Sequence, residues 1–328
     1  MITRTLAVLL FAGAAYAAEG DAYTPSPHAI DIPKWFTETF LDFREDIRDA
    51  TAQKKRLLVY YGQDGCPYCK ALMKANFGDP AIAAFTRERF VAIALNLWGD
   101  REVTWLDGRR MSERDLARVL RVQYTPTLLF FDEQGRVALR LNGYQPPEKF
   151  RLALEYAATA KGGSFTDYLA AQVPMKLAGP STTIDLSRAR PRSKPLLVVF
   201  ERTGCAECTE LRDDAFVRPE VKQLLARFDV VTLDFVGARR LVTPAGKATS
   251  EHDWARALGL VYTPTLVFFD AGGKEVFRVD GYLRPFHVAS VLDYVASGAY
   301  RREPSFQRFI QKRAEGIRAS GGAVDLWK

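Results

Sequence analysis

Two apolar runs set the rhythm of this chain, and each breaks into a short polar turn followed by a pair of cysteines. The first run is Leu57-Leu58-Val59-Tyr60-Tyr61, then Gly62-Gln63-Asp64-Gly65 and Cys66-Pro67-Tyr68-Cys69. The second is Leu196-Leu197-Val198-Val199-Phe200, then Glu201-Arg202-Thr203-Gly204 and Cys205-Ala206-Glu207-Cys208. A continuous run of aliphatic and aromatic residues ending in turn residues predicts a buried strand. The C-x-x-C spacing puts both sulfurs of a pair within one turn of the helix that follows.

The remaining pattern is mixed α/β, and it occurs twice. Trp35 to about Lys55 carries apolar residues at Trp35, Phe36, Phe40, Leu41, Phe43 and Ile47, which predicts an amphipathic helix. The helix after Cys69 runs through Leu72, Met73 and Phe77 and stops near Gly78-Asp79-Pro80. A helix from Ala81 leads to a strand at Phe90–Leu95, and residues 97–111 form an excursion with turn signals. Ser112 with Asp115 three residues on has the form of a capping box, starting a helix to about Val122. Then come Tyr124-Thr125-Pro126-Thr127, strands at Leu128–Phe131 and Val137–Leu141, and Gly143-Tyr144-Gln145-Pro146-Pro147 before a last helix.

Pro126, Ser112 and Gly143 recur as Pro264, Ser250 and Gly281 at an offset of 138, whereas the cysteines, Phe77 and Pro80 recur at 139. Duplication followed by a one-residue deletion in the second copy accounts for both offsets. A period this long means tandem domains rather than a solenoid. The expected division is 35–178 for the first domain, 179–194 for a linker, and 195–328 for the second with a C-terminal helix. Ser164–Leu169 and Ser305–Ile310 are expected to be packing helices trailing each copy.

Composition narrows the setting. Of 328 residues, 48% are hydrophobic and 26% charged, which suits a globular chain long enough for two cores. Residues 1–17 hold one positive charge, Arg4, an apolar run from Leu6 to Ala15, and the small-x-small ending Ala15-Tyr16-Ala17. That is the pattern of a cleaved signal peptide, so export to the periplasm is expected, with 18–34 an extended leader. No later stretch has transmembrane length, so the mature protein is not expected to be membrane-embedded. The net charge of +7 comes from scattered basic residues apart from a cluster over Arg301–Arg318, which argues against nucleic-acid binding. All four cysteines lie in the two pairs, none being left for structural bridges, and this points to exchange chemistry. A shared zinc site would have to join pairs separated by 135 intervening residues, and His28, His252 and His287 have no ligand spacing. No cofactor is implied.

The order strand, C-x-x-C helix, helix, strand, helix, Thr-Pro-Thr, two strands and a helix resembles the thioredoxin fold, once per half. The fold class expected is α/β, two tandem thioredoxin-like domains, each a central mixed sheet flanked by helices. The second copy is most similar to SoxW-type periplasmic thioredoxins, through Gly204-Cys205, Cys208, Tyr262-Thr263-Pro264-Thr265, Phe268-Phe269-Asp270, Gly281–His287 and Tyr294–Tyr300. The resemblance implies a thiol–disulfide oxidoreductase acting mainly as a protein-disulfide reductase. An oxidase or isomerase, or a docking module with an inactive second pair, are the rival readings. Its partners would be cysteine-containing exported proteins and, by analogy, a membrane thiol-electron donor. It also implies cis bonds at Pro126 and Pro264, with Thr125 and Thr263 offering backbone groups to an extended substrate.

Thioredoxins carry a buried Asp six residues before the first cysteine, where this chain has Tyr60 and Val199. The proton acceptor for Cys69 and Cys208 is thus open, with Glu201 a candidate in the second copy. The attacking species is the thiolate, favoured by the positive end of a helix. Lowering a thiol from about 8.5 by about 1.5 units needs only about 2 kcal/mol. Cys66 and Cys205 are therefore the expected nucleophiles, and Cys69 and Cys208 the resolving thiols. Pro67 suits the first helical turn, and Tyr68 is expected to set its ring beside the sulfur. Lys70 and Arg202 flank the sites as solvated charges or modulators. Glu207 should oppose the Cys205 thiolate unless Arg202 compensates, so Cys66 is expected to be the more acidic thiol.

Overall fold

The computed structural model describes residues 29–159, 163–171, 183–187 and 193–324. The expected signal peptide and most of the expected leader lie outside them. Each half is built on a four-stranded sheet. In the first the order is Phe90–Asn96, Arg56–Gly62, Thr127–Phe131, Val137–Asn142. The first two strands run parallel, in register from Arg56 opposite Phe90 to Gly62 opposite Asn96, and the other pairings are antiparallel. The second half repeats this with Asp229–Asp234, Leu196–Glu201, Thr265–Phe269 and Glu275–Asp280. The central strand of each sheet has neighbours on both edges and helices on both faces, which explains its unbroken apolar sequence. All seven residues of Arg56–Gly62 are buried. Among the described residues, no helix is long and apolar enough to cross a membrane.

The amphipathic helix expected from Trp35 starts later, at Phe43, and ends at Ala52. The Asp42 side chain accepts the amides of Arg44 and Glu45, which satisfies the first turn there and not earlier. Upstream, the Thr37 amide binds the Ala92 carbonyl at the sheet edge. Trp35 and Phe36 pack edge-on against Phe77, ring centroids 5.5 and 5.3 Å away. Trp35 and Phe36 thus belong to a strap rather than to the helix, Phe43 and Ile47 to the helix, and Phe40 is exposed. Each helix after the cysteines also changes pitch, from α at Pro67–Ala71 to a wider π turn at Leu72–Asn76, and from Ala206–Glu210 to Leu211–Ala215.

The excursions are hairpins, Glu102–Thr104 with Arg110–Ser112 and Arg240–Val242 with Ala248–Ser250. A buried carboxylate anchors each. Glu113 accepts the amides of Asn96 and Arg101 and pairs with the Arg101 guanidinium, and Glu251 does the same for Asp234 and Arg239. The stretch expected as a linker is partly built in. Ile184–Asp185 add a parallel strand beside Leu241–Val242, and Leu186 is buried.

The two halves meet through equivalent surfaces. Asn142 and Asp280 hold the same place in the two copies, and the Asn142 amide donates to the Asp280 carboxylate at 2.9 Å. Tyr124 packs on Phe306, which opens the second trailing helix, Phe306–Ala319. Tyr262 in turn packs on Phe165, which opens the first, Phe165–Ala171. Tyr68 faces His287 across the interface with ring centroids 5.2 Å apart, and at the related position Lys149 faces Glu207. This is the reciprocity of an isologous dimer, held within one chain.

Burial at this interface lowers His287 to about 4, and its Nδ1 has no hydrogen-bond partner among the described residues. The unfolded chain binds that proton first as pH falls. The stabilising contribution of the neutral ring is therefore complete above about 6.5 and is lost progressively down to about 4, a loss of about 3 kcal/mol. Replacing His287 by Leu should flatten that part of the acid slope. Urea midpoints of both proteins at pH 7 and pH 4.5 measure it, and an unchanged slope in the variant would contradict the assignment.

Candidate active site

Each site starts where the buried strand ends. After Gly62 the chain turns through Gly65, whose φ of +73° favours glycine, and Gly204 repeats this at +75°. The next residue, Cys66 or Cys205, is the N-cap of a helix, in extended conformation with φ near −85°. Pro67 occupies the first helical position, where its missing N–H has no partner to lose.

The capping group is the sulfur itself. The Cys69 amide points at Cys66 Sγ from 3.0 Å, and the Cys208 amide at Cys205 Sγ from 3.1 Å. Both pairs are disulfide-bonded, with Cα atoms 5.2 Å apart. Cys66 and Cys205 are each 4% exposed, while Cys69 and Cys208 are sealed at 0% and 1%. A reagent reaches the first sulfur of each pair before the second.

The loop facing each disulfide contains a cis peptide bond, Thr125–Pro126 and Thr263–Pro264. The Thr125 carbonyl oxygen lies 3.3 Å from Cys66 Sγ, and its hydroxyl reaches that sulfur at 3.4 Å. Thr127 and Thr265 brace these loops by donating to the carbonyls of Tyr124 and Tyr262. The amides of Gly143 and Gly281 bind the carbonyls of Pro126 and Pro264 at 2.8 and 2.9 Å. Both glycines have positive φ, and a β-carbon on Gly281 would fall 2.8 Å from the Gln145 side chain of the other half. The Gly-Tyr motif is thus a backbone requirement of the loop.

A cavity of about 310 Å³ opens at Cys66, lined by Pro67, Thr125, Trp98, Phe306, Gln307 and Gln311. Its far wall is the C-terminal helix of the second copy. Gln307 takes the Gln63 side-chain amide at 2.9 Å and donates to the Gln123 carbonyl at 3.1 Å, while Trp98 Nε1 donates to Gln63 at 2.6 Å. Tyr68 lines the same cavity, but its hydroxyl accepts the Arg284 amide at 2.9 Å. Tyr68 thus borders both the cavity and the interface.

The second site differs in charge. Glu207 Oε2 lies 3.7 Å from Cys205 Sγ. The cation paired with it is Lys149, at 2.8 Å, and no Arg202–Glu207 ion pair is found among the described residues. Lys149 also donates to the Thr263 carbonyl at 2.9 Å. Burial lowers its pKa, opposed by Glu207.

Glu201, the acceptor considered for Cys208, is engaged by Arg212, and burial raises its pKa. Where thioredoxins carry their Asp, Tyr60 has a buried hydroxyl without a hydrogen-bond partner among the described residues. Burial raises its pKa. Lys149, Gln63, Gln307 and His287 were absent from the sequence-based site because they are supplied by the opposite half or by its contacts. The one available signal was a pair of departures from the repeat, Glu207 against Tyr68 and Lys149 against His287.

A family model described as thioredoxin-like domain matches the chain twice, over residues 43–158 and 183–296. No curated protein matches. Among solved structures, a thioredoxin-fold protein from Helicobacter pylori is 21% identical over 41% of this chain and 91% of its own, with a TM-score of 0.37. A thioredoxin from Thermus thermophilus is 26% identical over 37% of this chain and 87% of its own, with a TM-score of 0.29. The reduced periplasmic thioredoxin SoxS from Paracoccus pantotrophus is 18% identical over 32% and 99%, with a TM-score of 0.23. With both halves matched by the family model, the chain belongs to the thioredoxin-like domain family, as a tandem pair of such domains.

Proposed function

We propose that this chain is an exported thiol–disulfide oxidoreductase that acts mainly as a protein-disulfide reductase through both dithiols. The observation that carries the reading is the backbone amide aimed at the outer sulfur of each pair, 3.0 Å at Cys66 and 3.1 Å at Cys205. The same amide that caps the helix stabilises a thiolate once the disulfide is reduced.

In the reduced protein, the Cys66 or Cys205 thiolate attacks one sulfur of a substrate disulfide. A mixed disulfide forms, and the other substrate sulfur leaves as a thiolate that takes a proton. Cys69 or Cys208 then loses its proton and attacks its neighbour's sulfur, releasing the second substrate thiol and restoring the protein disulfide. Two electrons pass to the substrate, and a thiol donor must return them. Cysteine-containing exported proteins are the proposed substrates and a membrane thiol-electron donor the proposed source. The hydrophobic N-terminal pattern and its Ala15-Tyr16-Ala17 ending support export. Pro67 and Tyr68, Thr125 with Pro126, and Thr263 with Pro264 are proposed as the surfaces that receive substrate. One observation favours docking at the second copy, since Lys149 already occupies the Thr263 carbonyl.

Insulin reduction by a Cys66→Ser/Cys69→Ser variant and by a Cys205→Ser/Cys208→Ser variant tests the proposal. Each should retain turnover, and the quadruple variant should have none. Silence from both double variants would refute the reductase reading, whereas silence from the Cys205 pair alone would reduce the second copy to a docking module.

Access to Cys66 through the cavity walled by the C-terminal helix gives a further expectation. Gln311 is exposed and lines that cavity. In a protein carrying only the first dithiol, Gln311→Trp should raise KM for insulin about five- to tenfold. Alkylation of reduced Cys66 by iodoacetamide should stay within about twofold. Equal KM values would show that substrate enters elsewhere.

A further inference from the structure

We propose that Lys149, supplied by the first copy, is the positioning residue that sets the acidity of the Cys205 thiol in the second. The inference deepens the thiol-exchange reading of that site and rests on it.

The geometry is that of a clamp. One ammonium group donates to Glu207 Oε2 at 2.8 Å and to the Thr263 carbonyl at 2.9 Å, so it ties the helix start to the loop before Pro264. Glu207 Oε2 is in turn 3.7 Å from Cys205 Sγ. Both side chains are largely withdrawn from solvent, at 17% and 20% exposure, where charge interactions are weakly screened. A bare carboxylate at that distance opposes thiolate formation, and a cation held on the same oxygen cancels most of that opposition. The Tyr262 hydroxyl donates to the Lys149 carbonyl at 3.1 Å, which fixes the backbone that carries the clamp.

Lys149 and Glu207 line a cavity of about 350 Å³ that other titratable groups also face. Glu210 and Asp214 lie further along the cysteine helix, and Arg284 and Tyr282 come from the Gly281 loop. Arg202, in the turn before Cys205, lies close enough to oppose the charge on Lys149. None of these is placed, as Lys149 is, on both the C-x-x-C segment and the residue preceding the proline. The first copy supplies an internal comparison, because the related positions hold Tyr68 and His287, which meet as rings 5.2 Å apart. The charged pair is confined to one of two otherwise equivalent places.

The test measures iodoacetamide alkylation of the fully reduced full-length protein against pH, with Cys66 and Cys205 resolved by peptide mass spectrometry. Lys149→Met should lower the Cys205 thiolate fraction near neutral pH about tenfold, leaving Cys66 within about twofold. Lys149→Arg should restore most of it. Glu207→Gln should shift Cys205 the opposite way, and the double variant should return close to the parent, as coupled neighbours do. Equilibration with glutathione should show Lys149→Met favouring the Cys205–Cys208 disulfide by up to tenfold, about 30 mV.

An unchanged Cys205 profile in folded Lys149→Met, or no rescue by Arg, would overturn the proposal. Should Lys149→Met fail to fold, Glu207→Gln decides alone, because it leaves Lys149 in place and an unmoved profile refutes the clamp. Alkylation requires no protein substrate, so a normal Cys205 shift with no insulin turnover would count against the reductase reading and not against this one.

Discussion

A backbone amide aimed at a sulfur atom is the contact that organises each half of this chain. It exists only because the cysteine sits at the N-cap, and the cysteine sits there because a buried strand ends just before it, with only Glu201 at the end of the second one partly exposed. The strand's burial fixes the position of the turn, and the turn's positive-φ glycine swings the chain into the helix. Once in place, the first sulfur lies at the positive end of the helix and the second is sealed beneath it. The order of access is then the one that the proposed stepwise exchange through a mixed disulfide requires.

The loops opposite the sulfurs are held by contacts that cross the molecule. Gly143 and Gly281 tie the proline loops to the ends of the outer strands, and those ends meet at Asn142 and Asp280. Burial raises the Asp280 carboxyl, so the Asn142 amide and the nearby Arg140 and Arg278 are needed to hold it in this setting. The trailing helices complete the exchange, each covering the tyrosine before the other copy's proline. Each site is therefore finished by the opposite half, and neither surface near a disulfide belongs to one copy alone.

Much of this was legible in the chain. Strands written as continuous apolar runs, helix starts marked by Ser112 or Pro67, and two offsets one residue apart identify two copies of a mixed α/β unit. What could not be read were contacts between residues far apart in number. Trp35 and Phe36 have helical spacing, yet Asp42 caps later and Phe77 offers their rings a partner. Ile184 and Asp185 lie in a polar, proline-flanked stretch, and only the edge at Leu241 makes them a strand. Nothing beside Tyr68 in the sequence shows that His287 meets its ring and the Arg284 amide its hydroxyl. Local pattern decides the element, and the partner surface decides what a side chain in it does.

A duplicated chain whose copies meet in this reciprocal way has a freedom that a two-fold homodimer lacks. In a homodimer, one substitution at an interface appears at both related sites, so a lysine placed beside one disulfide is also placed beside the other. In a tandem chain it appears once. Tyr68 with His287 and Glu207 with Lys149 occupy related positions, yet one pair is neutral near pH 7 and the other carries a full ion pair. The carboxylate alone would handicap the second thiolate, and the lysine alone would leave a charge withdrawn from water without a partner. Together they are tolerated in a half-buried place and leave the two sulfur sites in different fields. Two dithiols on equal backbones can thereby hold unequal acidities without any change to the fold that carries them.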